Sequence, residues 1–282
     1  MESLTLMTIG SILKDAAKYP FSDWKKILIL GIVLLLYSSH IVSYVFAEIF
    51  CEFLNISGLG NVVTGDMFFV IAQVLFDLIG ILILFFIFGY YFKIVKSSLD
   101  GSSELPQFKP WKEMFFDGIK VYIVFVIYLI PLLLFTLLAG SLEIITYPAP
   151  IAQFTSYSGI FFGSVFANEW IIVLLTLYLF IIIPVSYFAI ANMSNDNGKF
   201  SSAFKFREIL NKIIYIGLKK LITFYLVAII PIYLISYIVV GAEVTYLPIN
   251  LIIAPYLSMF IYRLLALFYM SDKESLQDST SS

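Results

Sequence analysis

The sequence contains one cysteine, Cys51, and one histidine, His40, among 282 residues. A single cysteine excludes an intrachain disulfide. One histidine and one cysteine cannot supply the ligands of a His/Cys metal site, and no zinc-protease, P-loop or nucleophile-elbow motif is present. We therefore expect a protein that is not an enzyme and that needs no metal or other cofactor.

Charged residues are also scarce. They make up 13% of the chain, whereas 61% is hydrophobic and the mean hydropathy is +0.98. A soluble domain has about a quarter charged residues, so this chain has too few polar groups to cover a soluble fold. The formal net charge of −2 argues against a nucleic-acid partner. Membrane lipids are the expected surroundings.

Positive charge is missing from three long blocks, Gly31–Tyr90, Val121–Ala191 and Leu221–Tyr262. A spanning helix needs about 20 apolar residues, so each block can cross a bilayer, turn and return. Continuous apolar runs favour helices over a barrel. The six predicted spans are Ile27–Ile49, Met67–Ile94, Val121–Glu143, Glu169–Ala191, Leu221–Ala242 and Leu247–Tyr269.

All 17 lysines and arginines fall in alternate loops between the predicted hairpins. Loops rich in Lys and Arg remain on the cytoplasmic side. The sequence therefore predicts a multi-pass protein of the cell membrane with its N- and C-termini in the cytoplasm. The opposite loops carry acids only, namely Glu48, Glu52, Asp66, Glu143, Glu169 and Glu243.

Similar segments recur on the basic side. Phe21-Ser-Asp-Trp24-Lys25 matches Phe108-Lys-Pro-Trp111-Lys112, and Phe204-Lys-Phe-Arg207 is a weaker third copy. The returning helices also end alike, in Gly89-Tyr-Tyr-Phe-Lys93, Val185-Ser-Tyr-Phe188 and Phe260-Ile-Tyr-Arg263. Each unit holds an even number of spans, so these patterns predict three parallel two-helix repeats.

The predicted fold is thus all-α and polytopic, in a single transmembrane domain of residues 1–270. The repeat units cover about 10–96, 97–196 and 197–270. Residues 271–282 are polar and small, so we expect them to form a disordered tail.

The recurring segments have apolar residues at helical spacing, such as Trp111, Met114 and Phe115, with lysines around them. This division predicts short amphipathic helices on the cytoplasmic membrane surface. One interpretation is a set of hinges in which the tryptophans serve as interface anchors. The other is a basic collar that holds anionic lipids or a cytoplasmic partner. The candidate contact residues are Trp24, Lys25, Trp111, Lys112, Phe204 and Arg207.

Asp77 is the only carboxylate well inside a predicted span, and His40, in the first predicted span, is the only histidine of the chain. Such groups are functional candidates because a charge at mid-bilayer costs about 2.5–3.5 kcal/mol or more. At about 1.5 Å per residue their depths differ by only about 7 Å. They are interpreted either as a proton-titrating pair or ion site supplemented by Gln73, or as a neutral Asp77 within the bundle and a His40 reaching the outer interface.

The chain resembles a known family. The resemblance is carried by Tyr19-Pro-Phe-Ser-Asp-Trp24-Lys-Lys, Gly89-Tyr, Leu105-Pro-Gln-Phe-Lys-Pro-Trp111 and Asp117-Gly-Ile-Lys120. These segments are similar to the domain-of-unknown-function family 4013, multi-pass membrane proteins found mostly in archaea. The similarity extends from about Lys14 to Tyr269. It implies a fold and a membrane location, and no activity or catalytic residue.

The sequence therefore favours a non-enzymatic membrane module that organises lipid or a membrane partner, including a second copy of itself. The alternative is a small-solute or ion-coupled transporter with an intramembrane polar site at Asp77 and His40. A polar cavity near mid-membrane would favour the transporter.

Overall fold

The computed structural model describes residues 8–38, 65–146, 169–231 and 249–271, and these ranges contain helices and no strand. In chain order the helices are α1 (Ile9–Lys18), α2 (Trp24–Ser38), α3 (Gly65–Leu99), α4 (Trp111–Thr146), α5 (Glu169–Asn195), α6 (Phe206–Ile216), α7 (Leu218–Phe224) and α8 (Ala254–Met270). Two 3-10 turns, Tyr19–Ser22 and Phe200–Phe204, precede α2 and α6. Two π-helical turns, Tyr225–Ile229 and Ile249–Ile253, follow α7 and precede α8.

Four helices in the described ranges are long and apolar enough to cross a membrane. The qualifying stretches are Leu78–Leu99, Trp111–Phe135, Thr176–Asn195 and Leu251–Met270. They correspond to the second, third, fourth and sixth predicted spans. The first and fifth are described only as far as residues 38 and 231, so the count of six stays a prediction. The all-helical class and its suitability for a membrane are confirmed.

Helix α8 lies at the centre of the described bundle. Residues 259–269 are buried without interruption, and Pro255 is buried as well. The helix contacts α1, α2, α3 and α5. A helix that is apolar and covered on most sides belongs in the core, so α1, α2, α3 and α5 are arranged around α8, while α4 packs on α3 and α5.

Three tyrosines meet beside α8. The ring of Tyr262 stacks on Tyr91 of α3 at 4.5 Å between centroids, and its distance to the ring of Tyr187 of α5 is 5.6 Å. These residues occupy the same position in the three similar helix-end sequences. An axis relating three repeats would pass near this point. The repeat arrangement itself stays a prediction.

Helices α3 and α4 approach each other closely at two glycines. A methyl group on Gly89 would overlap the carbonyl oxygen of Met114, and one on Gly118 would overlap that of Phe85. Small residues allow helix backbones to come together in this way. Next to this contact the rings of Phe86 and Trp111 meet edge to face.

This close contact changes the interpretation of the second recurring segment. The sequence predicts a separate surface helix there, but α4 continues without a break from Trp111 to Thr146. Met114 is buried and Phe115 contacts Phe85 and Phe86 of α3. The apolar side of this segment therefore packs against protein rather than along the membrane surface.

A short separate helix with an apolar side, α1, precedes the first recurring segment, and another, α6, begins within the third. In α1, Ile12 and Ala16 are buried, and Tyr256 of the central region donates a hydrogen bond to Ala17 O. Helix α6 ends at Gly217, whose φ of +85° is a left-handed conformation that favours glycine. Its exposed apolar side chains are Phe206, Leu210, Ile214 and Tyr215.

Candidate functional site

The turn after α1 and the start of α2 contact the loop 101–110, which leads directly into α4. We call this region, together with the start of α6, the basic end. Asp23 begins α2 by accepting a hydrogen bond from the backbone N–H of Lys25, which is the usual role of an N-cap aspartate. Helix α4 begins directly after Pro110. Helix α6 begins after Lys205, which forms an ion pair with Glu208 at 3.3 Å.

Each of these three helices begins with an exposed aromatic residue followed by an exposed cation. Trp24 is 62% exposed, Trp111 52% and Phe206 52%. The cations that follow are Lys25, Lys112 and Arg207. We refer to Trp24–Lys25, Trp111–Lys112 and Phe206–Arg207 as the aromatic–basic pairs. Their exposure leaves both the ring and the charge available to the surroundings of the bundle.

The third pair differs from the sequence prediction by its aromatic member. The sequence places Phe204 in register with Phe21 and Phe108, but Phe204 is half-buried against Tyr128 and Phe200. Phe206 occupies the helix start instead. The signal was present, because Phe206-Arg207 repeats the aromatic-then-basic order of Trp24-Lys25.

Other cations of the basic end bind the loop 101–110. Arg263 donates to Ser102 O at 2.6 Å and Lys26 to Leu105 O at 2.7 Å. Lys93 donates to Gln107 O at 2.9 Å and also to Lys109 O. A loop without regular structure must find partners for its carbonyl groups. These three cations therefore hold the loop in place.

Arg263 is buried, with 4% exposure, although the sequence assigns it to a basic loop. Its Nη2 forms an ion pair with Asp15 at 3.1 Å, and its guanidinium lies 4.6 Å from the centre of the Tyr19 ring. Its Nε has no hydrogen-bond partner among the described residues. The Tyr19 hydroxyl donates to Glu104 O at 3.2 Å. Burial raises the pKa of Tyr19 above its usual value of 10.0.

A cleft of 510 Å³ lies between α1, the turn Tyr19–Ser22 and the loop 101–110. Its lining residues are Ser11, Lys14, Asp15, Lys18, Tyr19, Ser22 and Ser103. Sequence reasoning missed this cleft because the lining comes from two separate parts of the chain. The four-residue spacing of Lys14 and Lys18, which places both on one side of a helix, was the available signal.

The model of a family described as proteins of unknown function (DUF4013) matches residues 74–245. The chain belongs to the DUF4013 family. The matched range includes Trp111, Lys112 and the Phe206–Arg207 pair, whereas the residues of the cleft up to Ser22 precede it. No curated protein and no solved structure gives a significant match.

The predicted intramembrane candidates of this DUF4013 protein lie outside the described residues or side chains. His40 belongs to a range that the structure does not describe. Asp77 and Gln73 lie in α3, but their side chains are outside the description. Among the residues that are described, no group of three or more His, Cys, Asp or Glu side chains could hold a metal ion.

Proposed function

We propose that this DUF4013 protein is a non-enzymatic membrane module that organises lipid at its basic end, and that this end faces the cytoplasm. The observation that carries the proposal is the presence of an exposed aromatic–basic pair at the start of α2, α4 and α6. The three pairs belong to three different elements, so they meet the surrounding lipid at several points of the perimeter.

The chemistry of each pair suits the boundary between hydrocarbon and headgroups. Trp and Tyr rings concentrate at that depth because they have an apolar body and a polar group. Phe206 supplies the apolar ring alone. A Lys or Arg near an anionic leaflet contributes about 1 kcal/mol of attraction. A ring and a cation on consecutive residues can therefore contact the acyl chain and the phosphate of the same lipid layer.

Some cations of the basic end bind the loop 101–110 and others are exposed, and this difference favours a lipid role for the aromatic–basic pairs. Lys26, Lys93 and Arg263 are occupied by carbonyl groups of the loop 101–110. Lys25, Lys112 and Arg207 are exposed. The loop-binding cations stabilise the fold of the basic end, and the exposed ones remain for headgroups. The other class of partner for the aromatic–basic pairs is a membrane protein with anionic groups on its surface.

The test is spin-label electron paramagnetic resonance on protein reconstituted in phosphatidylcholine with spin-labelled phosphatidylglycerol. The variant replaces Trp24, Trp111 and Phe206 by Ala and Lys25, Lys112 and Arg207 by Gln. With the natural sequence we expect a larger motionally restricted fraction for spin-labelled phosphatidylglycerol than for spin-labelled phosphatidylcholine. With the variant we expect the two fractions to be equal, because the charges that attract the anionic headgroups are gone.

A matched control removes exposed apolar residues within the spans, by Leu82→Ala, Leu134→Ala and Leu177→Ala. It should keep the headgroup preference, since these side chains carry no charge. An unchanged preference in the variant that lacks the aromatic–basic pairs would refute the proposal.

The proposed sidedness has a separate test. Cys51 is the only cysteine, and it belongs to the stretch Gly31–Tyr90 of the sequence, which has no basic residue. In intact cells a membrane-impermeant maleimide should label Cys51, while a Cys51→Ser, Lys112→Cys protein should react only after the membrane is opened. The reverse labelling pattern would invert the orientation and leave the lipid proposal to be judged by the spin-label experiment.

A further inference from the structure

The cleft at the basic end has a size and a lining that point to a specific ligand. Its 510 Å³ is within the range of about 300–1,000 Å³ that is typical of small-molecule sites. Three of its lining residues are serines, which carry hydroxyl groups, and two are lysines. A set of cations and hydroxyl donors is suited to the oxygen atoms of a phosphate group.

The one acidic residue of the lining does not oppose an anion, because its charge is already paired. Asp15 accepts hydrogen bonds from Arg263 Nη2 at 3.1 and 3.3 Å. In the described part of the chain, Lys14 and Lys18 take part in no ion pair. With Asp15 neutralised by Arg263, the two lysines leave the cleft with a surplus of two positive charges.

The serine hydroxyls add hydrogen-bond donors to the lining of the cleft. Ser22 Oγ accepts a hydrogen bond from the backbone N–H of Leu105 at 3.4 Å. This arrangement leaves the hydrogen of the Ser22 hydroxyl for an acceptor in the cleft. Ser103 is exposed and lies on the loop that Arg263 and Lys26 hold in place, so its position is fixed by the buried contacts below it.

The neighbourhood of the cleft connects it to the bilayer. Phe21 is exposed, and it belongs to the same short turn as Tyr19 and Ser22. Trp24 begins α2 one residue after Asp23, which ends this turn. Exposed tryptophans mark the level of the lipid headgroups, which is where the phosphate of a phospholipid lies.

We propose that the cleft binds the phosphate group of an anionic ligand, through Lys14, Lys18 and the hydroxyls of Ser22 and Ser103, and that a lipid headgroup supplies this phosphate. The proposal deepens the lipid function above and rests on it for the nature of the ligand. It adds a single saturable site, whereas the aromatic–basic pairs contact the general lipid layer.

The experiment is native mass spectrometry of the purified full-length protein, titrated with phosphatidic acid, phosphatidylglycerol or phosphatidylcholine. We expect one anionic lipid per chain to be retained in preference to phosphatidylcholine. Lys14→Gln should weaken retention by about tenfold, as for the loss of one hydrogen bond to a charged group. Lys18→Gln should have a similar effect, and the double variant a larger one.

The control variant, Lys199→Gln with Lys219→Gln, removes two exposed lysines outside the cleft. It makes the same change in net charge and should retain the lipid as the natural sequence does. Equal retention by the natural sequence and by the Lys14→Gln, Lys18→Gln variant would overturn the proposal. An equal loss in the control variant would also overturn it, because net charge alone would then explain the binding.

A competition arm separates the sources of the phosphate. Inorganic phosphate that displaces the lipid only in large excess supports the headgroup as the natural ligand. Binding of inorganic phosphate that is tight, and that is lost in the Lys14→Gln, Lys18→Gln variant, supports the phosphate site with a soluble ligand. An unchanged headgroup preference in the spin-label variant that lacks the aromatic–basic pairs, with lipid still retained at this cleft, would count against the proposed function alone.

Discussion

At the scale of single residues, the most constrained side chain is Arg263. A guanidinium that is almost fully buried needs a counter-charge, because an unpaired buried charge is strongly unfavourable. Asp15, which is 44% exposed on its side chain, supplies that charge from α1. The pair therefore joins a peripheral helix to the centre of the bundle.

We expect Asp15→Asn to lower the free energy of unfolding by about 1.5–3 kcal/mol, since a hydrogen bond to a charged group is lost and Arg263 stays buried. Thermal unfolding in detergent micelles would measure this. Glu208→Gln is the control, because Glu208 pairs with Lys205 at an exposed site where ion pairs contribute little. Equal stability of the Asp15 variant and the natural sequence would contradict the structural role of the pair.

Tyr19 gives a prediction about pH. Burial raises its pKa above the usual value of 10.0, so the folded protein keeps the phenol protonated when the unfolded chain has lost its proton. The contribution of this group to stability is therefore complete below about pH 10 and falls as the pH rises through the folded-state pKa.

In Tyr19→Phe we expect a loss of about 0.5–1.5 kcal/mol at neutral pH, because the hydrogen bond to Glu104 O is gone. The decline in stability above about pH 10 should become shallower. Unfolding midpoints measured across the alkaline range would show both effects. The exposed Tyr37 provides the comparison, and a Tyr37→Phe protein that changed the alkaline decline as much would rule out a special role for Tyr19.

The sequence was a good guide to some residues and a poor one to others. The exposure of Trp24 and Trp111 followed from their position between charged and apolar segments. The burial of Arg263 did not, because its hydrogen bond to Ser102 joins residues 161 positions apart. Residue type and neighbours in sequence contain no record of such a contact.

At the scale of helices, the contact between α3 and α4 depends on two glycines. We expect Gly118→Val to reduce stability by about 1–3 kcal/mol, because its side chain must push the Phe85 carbonyl away. Thermal unfolding of the purified protein would measure the change.

Gly80 supplies the control for this prediction. It lies in α3, and a Cβ atom there would meet nothing within 4 Å. Gly80→Ala should be neutral or stabilising by up to about 1 kcal/mol, because alanine favours a helix more than glycine does. If Gly118→Val and Gly80→Ala had the same effect on stability, α3 and α4 would not approach each other closely at Gly118.

Hydrophobic runs identified the long helices well, because length and apolar composition are local properties. The continuity of α4 was harder to predict. The charged residues between Trp111 and Lys120 suggest a surface segment, but they lie around a helix whose apolar side meets α3. Only the position of α3 shows that this side is covered by protein.

At the scale of the whole molecule, the three tyrosines beside α8 mark the centre. Tyr262→Ala should lower stability by about 3–5 kcal/mol, as for other large aromatic residues removed from a core, while Tyr262→Phe should keep the ring contacts and most of the stability. Tyr215→Ala, at an exposed position of α6, should have little effect. Similar melting temperatures for the Tyr262→Ala and Tyr215→Ala proteins would argue against a centre at this point.

The sequence predicts where along the chain the charges gather more readily than what each charged side chain contacts. The sequence predicts that the positive residues gather at one end, because alternate loops hold them all. Which of them hold the loop 101–110, and which stay exposed, depends on where that loop lies across the helix ends. The cleft was beyond prediction for the same reason, since Ser103 reaches it from a part of the chain far from Lys14 and Lys18.

The central position of α8 has a consequence for how the protein is made. A ribosome synthesises the chain from its N-terminus, and domains generally fold in that order. Here the helix that α1, α2, α3 and α5 surround is the last of the described helices to be synthesised. The earlier helices therefore precede their common partner, and of the contacts described only those that do not involve α8, such as the one between α3 and α4, are possible before it is made. Final packing is then an event that follows translation of α8 rather than one that accompanies the growth of the chain.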